Sequence, residues 1–137
     1  MIQSILAVLA GPFVMVAFDT LLHGLSHAGH GPLEPIWRQA KGERRSRPAL
    51  LSAIGWHVVA DVLLGLLIYV LVVVVGKSDL AWGALLGALV GGIVALYWLH
   101  VYSAFETSGK TVAALAVLSL LQITIATIVV TIAYGAS

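Results

Sequence analysis

Residues 49–75 read ALLSAIGWHVVADVLLGLLIYVLVVVV, an apolar run interrupted by one histidine and one aspartate. A helix of roughly 20 apolar residues crosses the hydrocarbon core of a bilayer, so this run is long enough to span a membrane. It must be helical, because an isolated strand would leave its backbone polar groups unpaired in lipid. The stretch therefore predicts a membrane-spanning helix that contains two ionisable residues, His57 and Asp61.

Three further apolar runs of similar length lie at residues 2–25, 80–103 and 111–134. Of the 137 residues, 61% are hydrophobic and 9% are charged, whereas a soluble protein has about 25% charged residues. The connections after the second and third runs are short, which favours antiparallel packing of consecutive helices. We predict an all-α, polytopic membrane protein: a single domain of four transmembrane helices in an up-down bundle.

The basic residues predict the orientation of these helices. Five of the seven lie in the polar loop at about residues 27–48, and one more, Lys110, lies in the third connection. Basic loops stay on the cytoplasmic side of the membrane. We therefore expect both of these loops of the multi-pass chain in the cytoplasm and both termini on the non-cytoplasmic side.

This orientation gathers histidines from three helices in the cytoplasmic leaflet. His23 and His27 lie at the end of the first run, His57 near the start of the second, and His100 about one turn before the third ends. His100 also continues a stripe of small residues at every fourth position, which favours an inward-facing side chain. We expect these imidazoles to converge on one pocket.

Two aspartates accompany the histidines at helical spacing. Asp19 precedes His23 by four residues and Asp61 follows His57 by four, so each pair shares a helix face. Gly65, one turn further along, is expected to leave the face beneath Asp61 open. An ionised side chain in hydrocarbon costs about 2.5–3.5 kcal/mol, so these carboxylates need a partner, a proton or a cation.

Imidazole and carboxylate groups together suit zinc, iron or copper. The chain has no cysteine, which excludes thiolate zinc sites and iron–sulfur clusters. The sequence predicts a transition-metal site formed by His23, His57, Asp61 and His100. Asp19 and His27 are possible further ligands, or residues that orient a ligand. Redox chemistry, hydrolysis and metal transport all stay open, as does whether the site is catalytic.

A different cofactor would use some of the same residues. Haem b could be held between the helices by two of His23, His57 and His100, since axial histidine ligation is a common way to bind haem. The glycines of the third run would then admit the porphyrin.

A third interpretation is a non-catalytic accessory or scaffold subunit of a larger membrane complex, or a homo-oligomer. Gly83, Gly87 and Gly91 recur at every fourth residue, and such stripes let helix backbones approach closely within one chain or between copies.

A fourth interpretation is proton or ion translocation through Asp61 and Gln122. The expected surroundings are the lipid bilayer, and no basic face suited to nucleic acid repeats along the chain.

Residues 83–109 form a glycine-rich run that ends in a cluster of aromatic residues. Together with the long first loop, this stretch resembles small uncharacterised bacterial four-helix integral membrane proteins. The resemblance implies the fold and a bacterial inner membrane, and it implies no activity and no ligand residues.

Overall fold

The computed structural model describes residues 2–27, 47–103 and 109–135, with side chains over 5–25, 55–100 and 109–135. Its four helices are α1 (Ile2–His27), α2 (Arg47–Val75), α3 (Leu80–Ser103) and α4 (Gly109–Gly135). All four are long and apolar enough to cross a membrane. The prediction of an all-α chain with four membrane-length helices is confirmed, while most of the predicted loop at 27–48 lies outside the described residues.

The outer surface of the helices is apolar. Phe13, Val74 and Ile93 are 74%, 77% and 69% exposed, and many other large aliphatic side chains face outward with them. A soluble monomer rarely exposes continuous apolar surface on this scale. This surface is the one expected of a multi-pass protein whose solvent is lipid.

α3 and α4 form the most extensive helix pair, and the glycine stripe lies in their interface. A Cβ atom built on Gly87 would lie 2.7 Å from the Cα of Thr124, and one on Gly91 would lie 3.1 Å from the Cα of Leu120. The two backbones are therefore in direct contact, as small residues permit. The expectation that this stripe packs helices together is met within the chain.

α1 and α2 cross equally closely at Gly11 and Gly65. A Cβ atom built on Gly65 would lie 2.6 Å from the Cα of Pro12. The space at Gly65, expected to be open beneath Asp61, is thus filled by the backbone of α1. This crossing holds the end of α1 beside the beginning of α2.

α4 is the central helix, because it packs against α1, α2 and α3. Within the described residues, α2 and α3 make only marginal contact with each other, although the turn between them is short. The expectation that these consecutive helices are close neighbours is therefore not met. The small residues of α3 face α4, and α3 makes only marginal contact with α1 as well, so it joins the bundle through α4 and leaves a gap toward α2.

The turn between α2 and α3 is defined by its capping groups. Gly76 ends α2 with a φ of 66°, a left-handed conformation that glycine adopts at no steric cost. The backbone N–H of Trp82 donates a 3.0 Å hydrogen bond to Oδ1 of Asp79, which caps the start of α3. Nζ of Lys77 lies 3.6 Å from the centroid of the Trp82 ring, a cation–π contact suited to a membrane interface.

Candidate metal centre

Three of the predicted site residues meet where α1 ends and α2 begins. Asp19, His23 and His57 each offer one ligand atom, and these atoms all lie within 4.8 Å of one another. Nε2 of His23 is 3.4 Å from Oδ2 of Asp19. The rings of His23 and His57 have centroids 5.5 Å apart and are tilted by 53°. Among the described residues, these side chains have the composition and spacing to hold a metal ion.

The helix geometry explains why they meet. Asp19 and His23 are one turn apart on α1, so both side chains point to the same side. His57 reaches them from α2, because the Gly11–Gly65 crossing keeps the two helices together.

The position of the group along the bundle follows from the helix ends. His23 lies four residues before the end of α1 at His27, and His57 lies ten residues after the start of α2 at Arg47. The group therefore lies toward the end of the bundle where α1 ends and α2 begins.

A cavity of about 240 Å³ adjoins the three residues, and all four helices contribute to its wall. Its further polar lining comes from Asp61, Ser119 and Gln122. The apolar part of its wall comprises Met15, Leu22, Ala60, Leu64, Val94, Trp98, Leu115, Leu118 and Ile123. Asp61 therefore lines the same cavity as Asp19, His23 and His57. It is not one of the three residues whose ligand atoms lie within 4.8 Å of one another.

The carboxylates of Asp19 and Asp61 both lie at this cavity, where they are partly shielded from solvent. The side chain of Asp19 is 23% exposed and that of His23 is 32% exposed. Asp61 is also only partly exposed, so two acidic groups border one cavity at membrane depth. A bound cation would be a counter-charge for both carboxylates.

The floor of the cavity is held by a contact between α4 and α1. Nε2 of Gln122 donates a 3.0 Å hydrogen bond to the backbone carbonyl of Met15, and the Gln122 residue is only 8% exposed. Beyond this point the buried side chains of the described residues are apolar apart from the threonines Thr127 and Thr131. The buried members of this core are Met15, Ile68, Val72, Ile123, Ala126 and Val130.

His100 is not brought to this group. Its residue is exposed, and α3 contributes Val94 and Trp98 to the cavity wall instead. The sequence favoured an inward His100 because it continues the stripe that includes Gly92 and Leu96. In the structure, the stripe of Gly83 is the buried one and Leu96 is 67% exposed. No atom of the described part of the chain lies within 4 Å of a Cβ built on Gly92. Neighbouring positions on a helix differ by about 100°, so a shift of one position turns His100 away.

Some residues of the site were not predicted. Ser119 and Trp98 line the cavity, and Gly11 makes the crossing that assembles it. Ser119 could have been recognised, because it precedes Gln122 by three residues on one face of α4. His27 belongs to α1, but its side chain lies outside the described residues.

These features define a class: a four-helix membrane protein with a histidine and carboxylate group at one end of the bundle. No protein-family model matches the chain, and no curated protein or solved structure is similar to it. The resemblance to small bacterial four-helix membrane proteins stays a prediction, and the function is argued from the chemistry of the site.

Proposed function

We propose that this protein binds a transition metal ion through Asp19, His23 and His57. The observation that supports the proposal is the spacing of their ligand atoms, all within 4.8 Å of one another. The three side chains come from two helices and lie at the edge of a cavity. Two imidazoles and a carboxylate are costly to place together in helices this apolar, and ionisable groups in such helices commonly bind an ion or another ligand.

The donor set indicates the kind of metal. Two imidazoles and one carboxylate bind Zn²⁺ in catalytic sites that keep an open position. The same set binds non-haem Fe²⁺, and imidazole also suits copper. Zinc, iron and copper are therefore the candidates. A bound ion would supply Lewis-acid chemistry, or redox chemistry in the case of iron or copper, and the adjoining cavity has room for one further ligand.

Asp61 and Gln122 have supporting roles in this proposal. Asp61 would accept a hydrogen bond from a group at the ion, or act as a fourth ligand after a small movement of α2. With Asp19 it would also balance the charge of a divalent cation. Gln122 would keep α4 against α1, so that Met15 and Asp19 stay in place. Such outer groups commonly tune metal affinity.

Haem b is less well supported than a single ion. Small-molecule pockets are typically about 300–1,000 Å³, whereas this cavity is about 240 Å³. His23 and His57 already face each other at a ring distance of 5.5 Å. His100, the third haem candidate, is exposed on α3 and does not line the cavity.

Proton or ion translocation is also less well supported. Asp61 and Gln122 do border one cavity, as such a path would require. Below them, however, lies the buried apolar core that includes Ile68, Val72 and Val130. The buried hydroxyls of Thr127 and Thr131 bond to helix carbonyls at 2.7 and 2.8 Å, so they do not extend a polar path.

The orientation belongs to the same proposal. In this proposal the metal group lies in the cytoplasmic leaflet of the inner membrane, with both termini outside, an orientation supported by the basic residues of the loop at 27–48 and by Lys110. A cytoplasmic position would give the site access to the metal ions of the cell interior.

Metal content measured on matched variants tests the proposal. The protein is purified in mild detergent, loaded with Zn²⁺ or Co²⁺, freed of excess ion, and analysed by mass spectrometry for metal. We expect about one ion per chain, with loss of at least tenfold in affinity in His57→Ala and His23→Ala. His100→Ala is the matched control, because it removes an imidazole from the same end of the bundle but outside the cavity.

His57 is exposed, so its truncation leaves the buried core intact and loss of metal cannot be attributed to misfolding. Circular dichroism of each variant verifies the helix content. A metal-free unsubstituted protein, or equal metal in the His57 and His100 variants, would contradict the proposal.

A further inference from the structure

We infer that the exogenous ligand of this metal centre is an amphiphile, with a metal-coordinating head and an apolar chain, that reaches the site from the lipid between α2 and α3. The inference rests on the proposed metal site and adds the class of molecule that the site receives.

The first support is the open side of the bundle. α4 packs against the three other helices and α1 packs against α2, whereas α3 makes only marginal contact with α1 and with α2 in the described part of the chain. α4 packs more extensively on α1 than on α2, so the side of the bundle that is not closed is the one between α2 and α3. α2 and α3 both have membrane-length spans. The gap between them therefore faces the hydrocarbon of the bilayer rather than water.

The second support is that the cavity reaches this gap. α2 contributes Leu64 and α3 contributes Val94 and Trp98 to its wall. These helices border the open side, so a molecule that passes between them meets the cavity directly. Leu63 and Ile93, the neighbours of Leu64 and Val94, are 61% and 69% exposed, so lipid-facing surface begins at the adjacent positions.

The third support is the distribution of polarity across the cavity. Polar side chains line the cavity from α1, α2 and α4, whereas the α3 wall consists of Val94 and Trp98. A ligand that bound here would place a polar group toward the imidazoles and carboxylates of α1 and α2 and apolar atoms toward α3. A small hydrophilic ligand would leave the apolar wall without a partner, since burial of apolar surface is what such a wall contributes to binding.

The size of the cavity agrees with an amphiphile. About 240 Å³ accommodates a coordinating head and the first carbons of a chain, while drug-sized pockets are larger. The remainder of the chain would lie in the gap and in the surrounding lipid, where it needs no enclosed space.

Two hydroxamates of different chain length test the inference on the Co²⁺-loaded protein. Acetohydroxamate and dodecanohydroxamate share one metal-binding head, and their binding is followed by the visible absorption of Co²⁺. Val94→Trp and Leu64→Trp fill the gap from α3 and from α2. Ile93→Trp and Leu63→Trp are the matched controls, because each adds the same indole one position away on the lipid-facing surface.

We expect dodecanohydroxamate to bind the two gap-filled variants at least about tenfold more weakly than the controls. Acetohydroxamate should bind all four with similar affinity. Partition of the long chain into the detergent micelle is the same for every variant, so it cancels in the comparison.

The outcomes separate the two proposals. Equal affinity of dodecanohydroxamate for the gap-filled and control variants, with Co²⁺ retained, would overturn the inferred route and leave the metal site standing. Preference of the unsubstituted protein for acetohydroxamate over the long chain, with affinities referred to the dodecanohydroxamate that is free of the micelle, would overturn the amphiphile. Failure of the unsubstituted protein to bind Co²⁺ would instead contradict the proposed function.

Discussion

The side-chain amide of Gln122 donates a 3.0 Å hydrogen bond to the backbone carbonyl of Met15, joining α4 to α1 at the floor of the cavity. Hydrogen bonds between membrane helices contribute about 0.6 kcal/mol on average. We expect Gln122→Leu to lower the free energy of unfolding by about 0.6–1 kcal/mol, because the leucine cannot donate this bond. Detergent-titrated unfolding monitored by circular dichroism measures the change. Leu121→Ala, at an exposed position beside it, is the control, and equal stability of Gln122→Leu and the unsubstituted protein would contradict the prediction.

Gly65→Ala should destabilise the α1–α2 pair and weaken the metal site together. The added Cβ would lie 2.6 Å from the Cα of Pro12, so the two helices must separate, at a cost of about 1–3 kcal/mol. His57 on α2 would then move away from His23 on α1. Thermal unfolding and Co²⁺ titration measure the two effects.

Gly55→Ala is the matched control for this change, because no atom of the described residues lies within 4 Å of a Cβ built on Gly55. It lies on the same helix and should leave both stability and Co²⁺ affinity unchanged. A Gly65→Ala variant that behaves like Gly55→Ala would show that the close crossing does not assemble the site.

Gly87→Ala should loosen the α3–α4 pair, while Gly92→Ala should not. A Cβ on Gly87 would meet the Cα of Thr124 at 2.7 Å, whereas a Cβ on Gly92 has no neighbour within 4 Å among the residues that the structure describes. We expect a loss of about 1–3 kcal/mol for the first variant only, measured by unfolding in detergent. A larger effect at Gly92 would indicate that its face packs against a second copy of the chain.

Metal binding should stabilise the fold by mass action. An ion that binds only the folded protein adds about 2.7 kcal/mol at a concentration 100 times its Kd. We expect Zn²⁺ to raise the midpoint of thermal unfolding, and a chelator such as EDTA to reverse the rise. The effect should disappear in His57→Ala and persist in His100→Ala. A rise that is equal in the two variants would place the bound Zn²⁺ elsewhere.

Cysteine labelling tests the orientation without background, because the chain contains no cysteine. We expect Ser78→Cys to react with a membrane-impermeant maleimide in intact spheroplasts. Lys110→Cys should react only after the membrane is permeabilised. The opposite pattern would place the metal group in the outer leaflet and contradict the orientation drawn from the basic loops.

The number and position of the helices follow from composition and length alone. The apolar runs at 49–75 and 80–103 match α2 and α3 closely, because a backbone in lipid has few alternatives to the helix. The pairing of Asp19 with His23 was likewise readable, since a spacing of four residues places two side chains on one face in any helix.

Which faces meet could not be read from the sequence. Two stripes of small residues run along α3, and they differ by about 100° around the helix. Packing against α4 selects the stripe of Gly87 and leaves His100 exposed, whereas the crossing of Gly11 and Gly65 brings His57 to His23. Each choice depends on how closely two particular backbones can approach, and that distance is a property of both surfaces together. The periodicity of one helix therefore limits the candidates for the site, and contact between helices selects among them.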